Sequence, residues 1–166
     1  MISQTTEYAL RAVVWLAANP AQPLTAHQIA EATRVPEGYL AKILQGLSRA
    51  GMLRARRGLG GGFTLAQSPS TLSMWDVVQA VDPRRRIDQC PLGFEVHAAK
   101  LCPLHRELDR GIALIEKAFS ARKISQLMGG AGAAPLCVYT PQGKAAPVRG
   151  ARRAARAPSR RARSSS

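Results

Sequence analysis

Two short helical segments joined by a tight turn constrain the fold of this chain more than any other feature. The first is predicted over 26–33, because Thr25 is a good N-cap and Gln28 follows three residues later, as in a capping box. The second begins at about Pro36, whose fixed φ suits the first turn of a helix, and ends at Gly51. This spacing predicts a helix-turn-helix unit, whose second helix, the recognition helix, can enter the major groove of DNA.

The recognition helix combines an apolar stripe with a polar face. Apolar side chains recur at helical spacing, and we expect the buried stripe to consist of Tyr39, Leu40, Ile43, Leu44 and Leu47. Tyr39 also lies at the flank of the exposed face. The DNA-contacting residues of that face are predicted to be Glu37, Gly38, Tyr39, Lys42 and Gln45. The alternative interpretation is a helical hairpin without a nucleic-acid partner.

Residues 52–66 alternate between apolar and polar side chains in two short stretches, with a glycine-rich run between them. This pattern predicts a β-hairpin after the recognition helix, which we call the wing. Arg56 and Arg57 flank its tip and would neutralise DNA phosphates, while Gly60 and Gly61 would let the backbone approach them closely. A solvated charged hairpin is the alternative.

Three other helical segments are predicted. Residues 6–18 are apolar on most faces and predict a core helix, and residues 71–81, capped by Ser73, predict another with Trp75 in the core. The last segment, 104–128, continues an apolar seam whose members recur three or four residues apart: Leu101, Leu104, Leu108, Ile112, Ile115 and Phe119. One seam is too narrow to enclose a core, so we expect this helix to pair with that of a second copy in a homodimer.

The chain therefore divides into four parts of a mainly α fold. They are a winged helix-turn-helix domain over 1–83, a Cys/His segment over 84–103, a long dimerisation helix over 104–128 and a basic tail over 129–166. The formal charge of +14 indicates a polyanionic partner. Eight of the 24 basic residues and none of the acidic ones lie from 141 onward, in a tail that we expect to be disordered. The tail would add nonspecific attraction to nucleic acid or only solubility.

The sequence does not indicate secretion or a membrane partner. The apolar run near the N-terminus is interrupted by Arg11, and no stretch reaches the ~18 to 20 apolar residues that span a bilayer. The three cysteines, an odd number, do not suggest a disulfide scaffold. We therefore expect a cytoplasmic protein whose cysteines are free thiols or metal ligands.

The order of these elements resembles the IscR and NsrR family of bacterial winged-helix regulators over roughly residues 1–128. The most specific piece is RGLGGGFTLA, which follows the helix GYLAKIL. The resemblance implies a symmetric dimer whose long helices pair and whose two recognition helices read a palindromic operator in double-stranded DNA. It also implies an effector site at the base of the long helices.

The resemblance further implies ligands for a 2Fe-2S cluster. Cys90 and Cys102 match the first and third cysteines of cluster-binding members and His105 matches the histidine that follows, whereas Val96 occupies the middle cysteine position. The candidate fourth ligand is His97 or Glu7 of the partner subunit. Thiolates and imidazoles also suit zinc, so a cluster, zinc and a metal-free thiol site all stay open.

Together these features predict a sequence-specific DNA-binding transcription regulator that responds to redox state, nitric oxide or an iron-sulfur cluster through the Cys/His segment. The alternatives are a metal-free winged-helix regulator, with a thiol effector or none, and a nonspecific nucleic-acid-binding protein driven by the arginine-rich tail. An enzyme is not expected, because Cys90 and Cys102 have His105 nearby but no visible third orienting group or oxyanion site.

Overall fold

The computed structural model describes residues 2–94 and 100–129. Val96, His97 and nearly all of the predicted basic tail, from residue 130 on, lie outside the described residues. Within those ranges the helices are α1 (Gln4–Ala18), α2 (Ala26–Thr33), α3 (Glu37–Arg49), α4 (Met74–Val81) and α5 (Pro103–Ser120), with a 3-10 helix at Ile124–Leu127. Strands β1 (Leu53–Arg56) and β2 (Gly62–Leu65) form the one sheet of the described ranges. The predicted mainly α, winged helix-turn-helix class is confirmed.

Side-chain caps fix where the helices begin. Ser3 accepts a hydrogen bond from the backbone N–H of Thr6, so α1 starts at Gln4, two residues before the predicted start. At α2, both hydrogen bonds of the predicted Thr25 and Gln28 capping box are present. The helix ends at Thr33, and its C-cap residue Arg34 adopts the left-handed conformation (φ 55°, ψ 43°) and turns the chain toward α3.

The core lies where α1, α2, α3 and α4 meet. Its largest fully buried side chains include Val13, Ile29, Leu40, Leu44, Leu47 and Val77. The prediction that Tyr39 belongs to the buried stripe is wrong, since 43% of this residue is exposed. Successive helical residues are about 100° apart, which places Tyr39 on the flank of α3 rather than under it. There its ring meets that of Tyr8 edge-on, with centroids 5.9 Å apart.

The wing has the predicted form and is attached to the helix-turn-helix unit. Strands β1 and β2 are antiparallel, with Ala55 opposite Phe63 and Arg56 opposite Gly62. On the other side of β2, Leu24 and Phe63 exchange two backbone hydrogen bonds of 3.1 and 2.8 Å. The wing is therefore fixed, at Phe63, to the residue that precedes the cap of α2.

Helix α5 is shorter than predicted. It ends at Ser120, and the chain then turns back so that Ile124 is completely buried. Backbone hydrogen bonds of 2.9 Å join Ile124 to Leu72 and Met74 to Arg122. Burial of Ile124 in the core favours this turn over the continued helix that the sequence pattern indicated.

The apolar seam of α5 is largely uncovered. No residue of α5 is buried, and Leu104 and Leu108 are 62% and 50% exposed. Ile112, Ile115 and Phe119 border a groove of about 360 Å³, whose opposite wall includes Trp75 and Val78 of α4. Trp75 is thus only half-buried, at the edge of this groove and not in the core as predicted. Across the described ranges, no helix is both long enough and apolar enough to cross a membrane.

Candidate DNA-binding surface and Cys/His site

One face of α3 is exposed to solvent. Its members are the predicted DNA-contacting residues Glu37, Gly38, Tyr39, Lys42 and Gln45, and all five are exposed. The opposite side of the helix is buried in the core and consists of Leu40, Ile43, Leu44 and Leu47. The Tyr39 hydroxyl lies against that of Thr5 in α1, so this side chain is held at the edge of the face. The structure thus leaves the face accessible, and its contact with DNA stays a prediction.

A histidine of α2 lies beside the start of the recognition helix. His27 Nδ1 is 2.9 Å from a carboxylate oxygen of Glu37, and both side chains are exposed. The hydrogen bond to Glu37, together with the charge of that carboxylate, raises the pKa of His27 above its usual value. No local sequence signal pairs these two residues, because they belong to different helices and are ten positions apart.

The tip of the wing carries exposed cations around a tight turn. Arg56 and Arg57 are exposed, and in the part of the chain that the structure describes neither forms an ion pair. Gly60 adopts a positive φ of 73°. A Cβ atom at Gly61 would collide with the backbone carbonyl oxygen of Arg56. The turn itself therefore requires glycine at these two positions, whatever the tip contacts.

The structure brings Cys90, Cys102 and His105 together at the start of α5. Their ligand atoms, two Sγ and one imidazole nitrogen, all lie within 4.8 Å of one another. His105 Nδ1 is 3.1 Å from Cys102 Sγ and 3.6 Å from Cys90 Sγ. Cys102 is buried, and the other two are half-buried.

Local structure accounts for two of the three positions. Cys102 is the N-cap of α5 and its sulfur accepts a 3.5 Å hydrogen bond from the His105 backbone N–H, with Pro103 at the first helical position. Residues three apart lie on the same side of a helix, so the His105 ring lies beside the Cys102 sulfur. Cys90 comes from the preceding loop, where hydrogen bonding from the Leu92 backbone lowers the pKa of its thiol.

Of the two candidates for a fourth ligand, only Glu7 belongs to the described residues, and it is not in this cluster. His97 lies outside the described residues. Glu7 forms an ion pair with Arg11, four residues later on α1. A role for Glu7 of the partner subunit stays a prediction.

Asp109, which no sequence pattern indicated, joins the loop that precedes α5 to that helix through hydrogen bonds. Asp109 accepts hydrogen bonds of 2.7 and 2.6 Å from Nε and Nη2 of Arg86, and one of 2.9 Å from the backbone N–H of Ile87. The hydrogen bonds from Arg86, followed by that from Ile87, lower the pKa of Asp109 to about 2. The carboxylate is therefore charged across the physiological pH range.

Residues 2–130 match a family model described as Rrf2, an iron-dependent transcriptional regulator. The chain belongs to the Rrf2 family. The predicted resemblance and the predicted function as a DNA-binding transcription regulator are confirmed at this level.

Relatives of this Rrf2 regulator share its fold along most of their length. A protein of Aquifex aeolicus (strain VF5) described as an HTH-type transcriptional regulator is 28% identical over 131 residues, which is 77% of this chain and 91% of that protein. The structure is similar to CymR, the global cysteine regulator of B. subtilis, with a TM-score of 0.62 and 22% identity over 76% of this chain and 95% of CymR. It is also similar to T. potens IscR, with a TM-score of 0.63 and 22% identity over 81% and 92% of the two chains.

The donor set fits the iron that the family description implies. Two thiols and an imidazole suit iron-sulfur clusters, in which histidine can replace cysteine. The described residues supply three of the four ligands that a 2Fe-2S cluster needs.

Proposed function

We propose that this Rrf2 regulator acts in the cytoplasm as a homodimer that binds a palindromic operator in double-stranded DNA, and that a 2Fe-2S cluster at Cys90, Cys102 and His105 controls that binding. The observation that carries the proposal is the gathering of these three ligand atoms within 4.8 Å at the base of α5. His97 or Glu7 of the partner subunit would complete the ligand set.

Contact with DNA is assigned to α3 and the wing. The N-terminal part of a recognition helix reads base edges, and the residues exposed there include Gly38, Lys42 and Gln45 beside the acidic Glu37 and the aromatic Tyr39. Exposed arginines at the wing tip suit the adjacent phosphates. Because most of the excess positive charge of the chain lies in its tail, nonspecific binding by the tail is the competing account.

Dimerisation is assigned to α5. Leu104 and Leu108 are too exposed to belong to the core of one chain, and they continue the line of Ile112, Ile115 and Phe119 along the groove. A second α5 on this face would remove the apolar side chains from water. It would also bring two Cys/His sites into one dimer, each at the start of a paired helix.

A single zinc ion is the second candidate for the site. Tetrahedral zinc with bonds of about 2.0 to 2.3 Å places sulfur and nitrogen ligands roughly 3.5 Å apart. The observed separations of 3.1 and 3.6 Å between His105 and the two sulfurs are close to that value. A metal-free thiol pair is the remaining interpretation, and it would change DNA binding only through oxidation of Cys90 or Cys102.

Anaerobic purification with iron, sulfide and zinc analysis separates these candidates. A cluster gives coloured protein with iron and sulfide, and zinc gives colourless protein with one metal ion per chain. Cys102→Ser should lose whichever group is bound, because it removes the buried ligand. Colourless, metal-free protein whose operator binding is the same in Cys90→Ser and Cys102→Ser would disprove control by this site and leave the DNA-binding assignment intact.

Operator binding tests the recognition helix. Base contacts are worth about 1 to 3 kcal/mol each, so Lys42→Ala and Gln45→Ala should each weaken specific binding about fivefold or more. Lys117→Ala, which removes the same charge from the exposed last turn of α5, is the matched control. Wild-type affinity in both α3 variants would show that another surface reads the operator. Loss of all binding on deletion of residues 141–166 would favour the nonspecific account.

A further inference from the structure

The loop that carries Cys90 connects α4 to α5. Its described part, from Pro83 to Phe94, contains no helix or strand, and most of it is exposed. One end is held at Arg84, whose backbone carbonyl accepts a 2.7 Å hydrogen bond from Gln79 of α4. Contacts with α5 therefore contribute to the position of its cysteine.

Asp109 supplies those contacts directly beside the Cys/His site. It follows His105 by four residues on α5, so the two side chains share one face and are separated by about 6 Å along the helix axis. The His105 ring lies beside the Cys90 sulfur, and the Asp109 carboxylate accepts hydrogen bonds from Arg86 and Ile87. The Asp109 side chain is only 15% exposed, whereas that of its partner Arg86 is 53% exposed.

We propose that Asp109 is a positioning residue of the Cys/His site, which holds Arg86 and Ile87 against α5 and thereby sets the distance of Cys90 from Cys102 and His105. This rests on the proposed function in that the three residues act together. It does not depend on which group they bind.

The length of free chain gives the expected size of the effect. With the Asp109 contacts, the chain is fixed three residues before Cys90, at Ile87. Without them, the preceding backbone group that is hydrogen-bonded to a helix is at Arg84, six residues before Cys90, and Ile87 keeps only the contact of its side chain with the α4–α5 groove. Effective concentration falls roughly as the −3/2 power of chain length. Doubling the free length therefore lowers the effective concentration of one thiol near the other about threefold.

Disulfide formation between Cys90 and Cys102 measures this concentration without any metal. In a glutathione buffer, two protein thiols and one oxidised glutathione give the protein disulfide and two reduced glutathiones, and the equilibrium constant reports how often the thiols meet. Metal-free, full-length protein with Cys137→Ser removes the third thiol. The variants are Asp109→Ala, Asp109→Asn, which keeps an acceptor for Ile87 but loses the charge, and Arg86→Gln. Glu107→Ala is the control, since it removes an exposed carboxylate of the same helix that pairs with Arg110.

We expect Asp109→Ala to lower the equilibrium constant about threefold or more, with smaller decreases in Asp109→Asn and Arg86→Gln and none in Glu107→Ala. A constant that is unchanged in Asp109→Ala and Arg86→Gln, or that falls equally in Glu107→Ala, would overturn the proposal. Binding of Co²⁺, followed by its thiolate charge-transfer band, tests the metal separately. Wild-type protein without that band, but with the disulfide constant still dependent on Asp109, would contradict the proposed metal site and support the positioning role.

Discussion

Replacing both arginines at the tip of the wing, Arg56→Ala with Arg57→Ala, should make operator binding much less sensitive to salt. Both side chains are exposed and form no ion pair in the described part of the chain, so their full charge is available to DNA phosphates. Each phosphate neutralised contributes about 0.9 to the slope of log affinity against log salt concentration. The loss of two contacts should lower the slope by about 1.8 for each protomer bound.

This slope predicts a measurable difference in affinity. Between 50 and 200 mM salt, a slope difference of about 1.8 changes the ratio of wild-type to variant affinity by about twelvefold per protomer. Fluorescence anisotropy with an operator selected from random duplex DNA would measure it at several salt concentrations. The deficit of the variant should be largest at low salt and shrink as salt rises, on specific and on unrelated sequences alike.

The control removes equal charge from outside α3 and the wing. Lys117→Ala with Arg122→Ala takes two exposed cations from the last turn of α5 and from the turn that follows it. If this control lowers the slope as much as the wing variant does, the effect comes from net charge and not from phosphate contacts. An unchanged slope in the wing variant would exclude the wing from the DNA interface.

Three further predictions concern pH, assembly and stability. Because Glu37 raises the pKa of His27, His27 is protonated at low pH and loses its charge as pH rises through that pKa. Operator affinity should therefore fall by up to about fivefold between pH 6 and 8.5. A His27→Gln variant with the same pH profile as wild type would contradict this prediction. Ile112→Asp with Ile115→Asp should give monomers by analytical ultracentrifugation, since a dimer through α5 would bury like charges. The circular dichroism spectrum should be unchanged, because neither side chain belongs to the winged-helix core. A variant that stays dimeric would refute the interface. Gly62→Ala should lower the free energy of unfolding in urea by about 1 to 3 kcal/mol, because the residue has a φ of 154° and an added Cβ would lie 2.5 Å from the Leu24 carbonyl oxygen. Gly46→Ala, in the open interior of α3, should instead raise this free energy by about 0.5 to 1 kcal/mol. Equal stability of the two variants would argue against the close contact at Leu24.

Features set by neighbouring residues could be predicted from the sequence, and those set by distant contacts could not. Thr25 and Gln28 define the start of α2 through hydrogen bonds within one helical turn. The grouping of Cys102 with His105 follows in the same way from their spacing on a helix. By contrast, the end of α5 depends on the burial of Ile124 against residues more than 50 positions earlier, such as Leu72.

The residues that hold the candidate site together show the same limit. Arg86 and Asp109 are 23 positions apart, and nothing in the local sequence of either residue indicates the other as its partner. Tyr39 fits the apolar stripe of α3 by type and by approximate spacing. Its spacing places it on a flank of α3, and the path of α1, which no local pattern indicates, decides how much of that flank is covered.

The hydrogen bonds between Leu24 and Phe63 have a consequence for the kind of operator that suits this regulator. They tie the wing to the segment that precedes α2, so in the proposed complex each half-site would be read as a single block. In a dimer, discrimination between operators then depends on the helical phase of the two blocks. One extra base pair between the half-sites would rotate the second by about 35° around the duplex and move it about 3.4 Å along the axis. Such an insertion leaves every contacted base unchanged, yet it would remove one protomer from register.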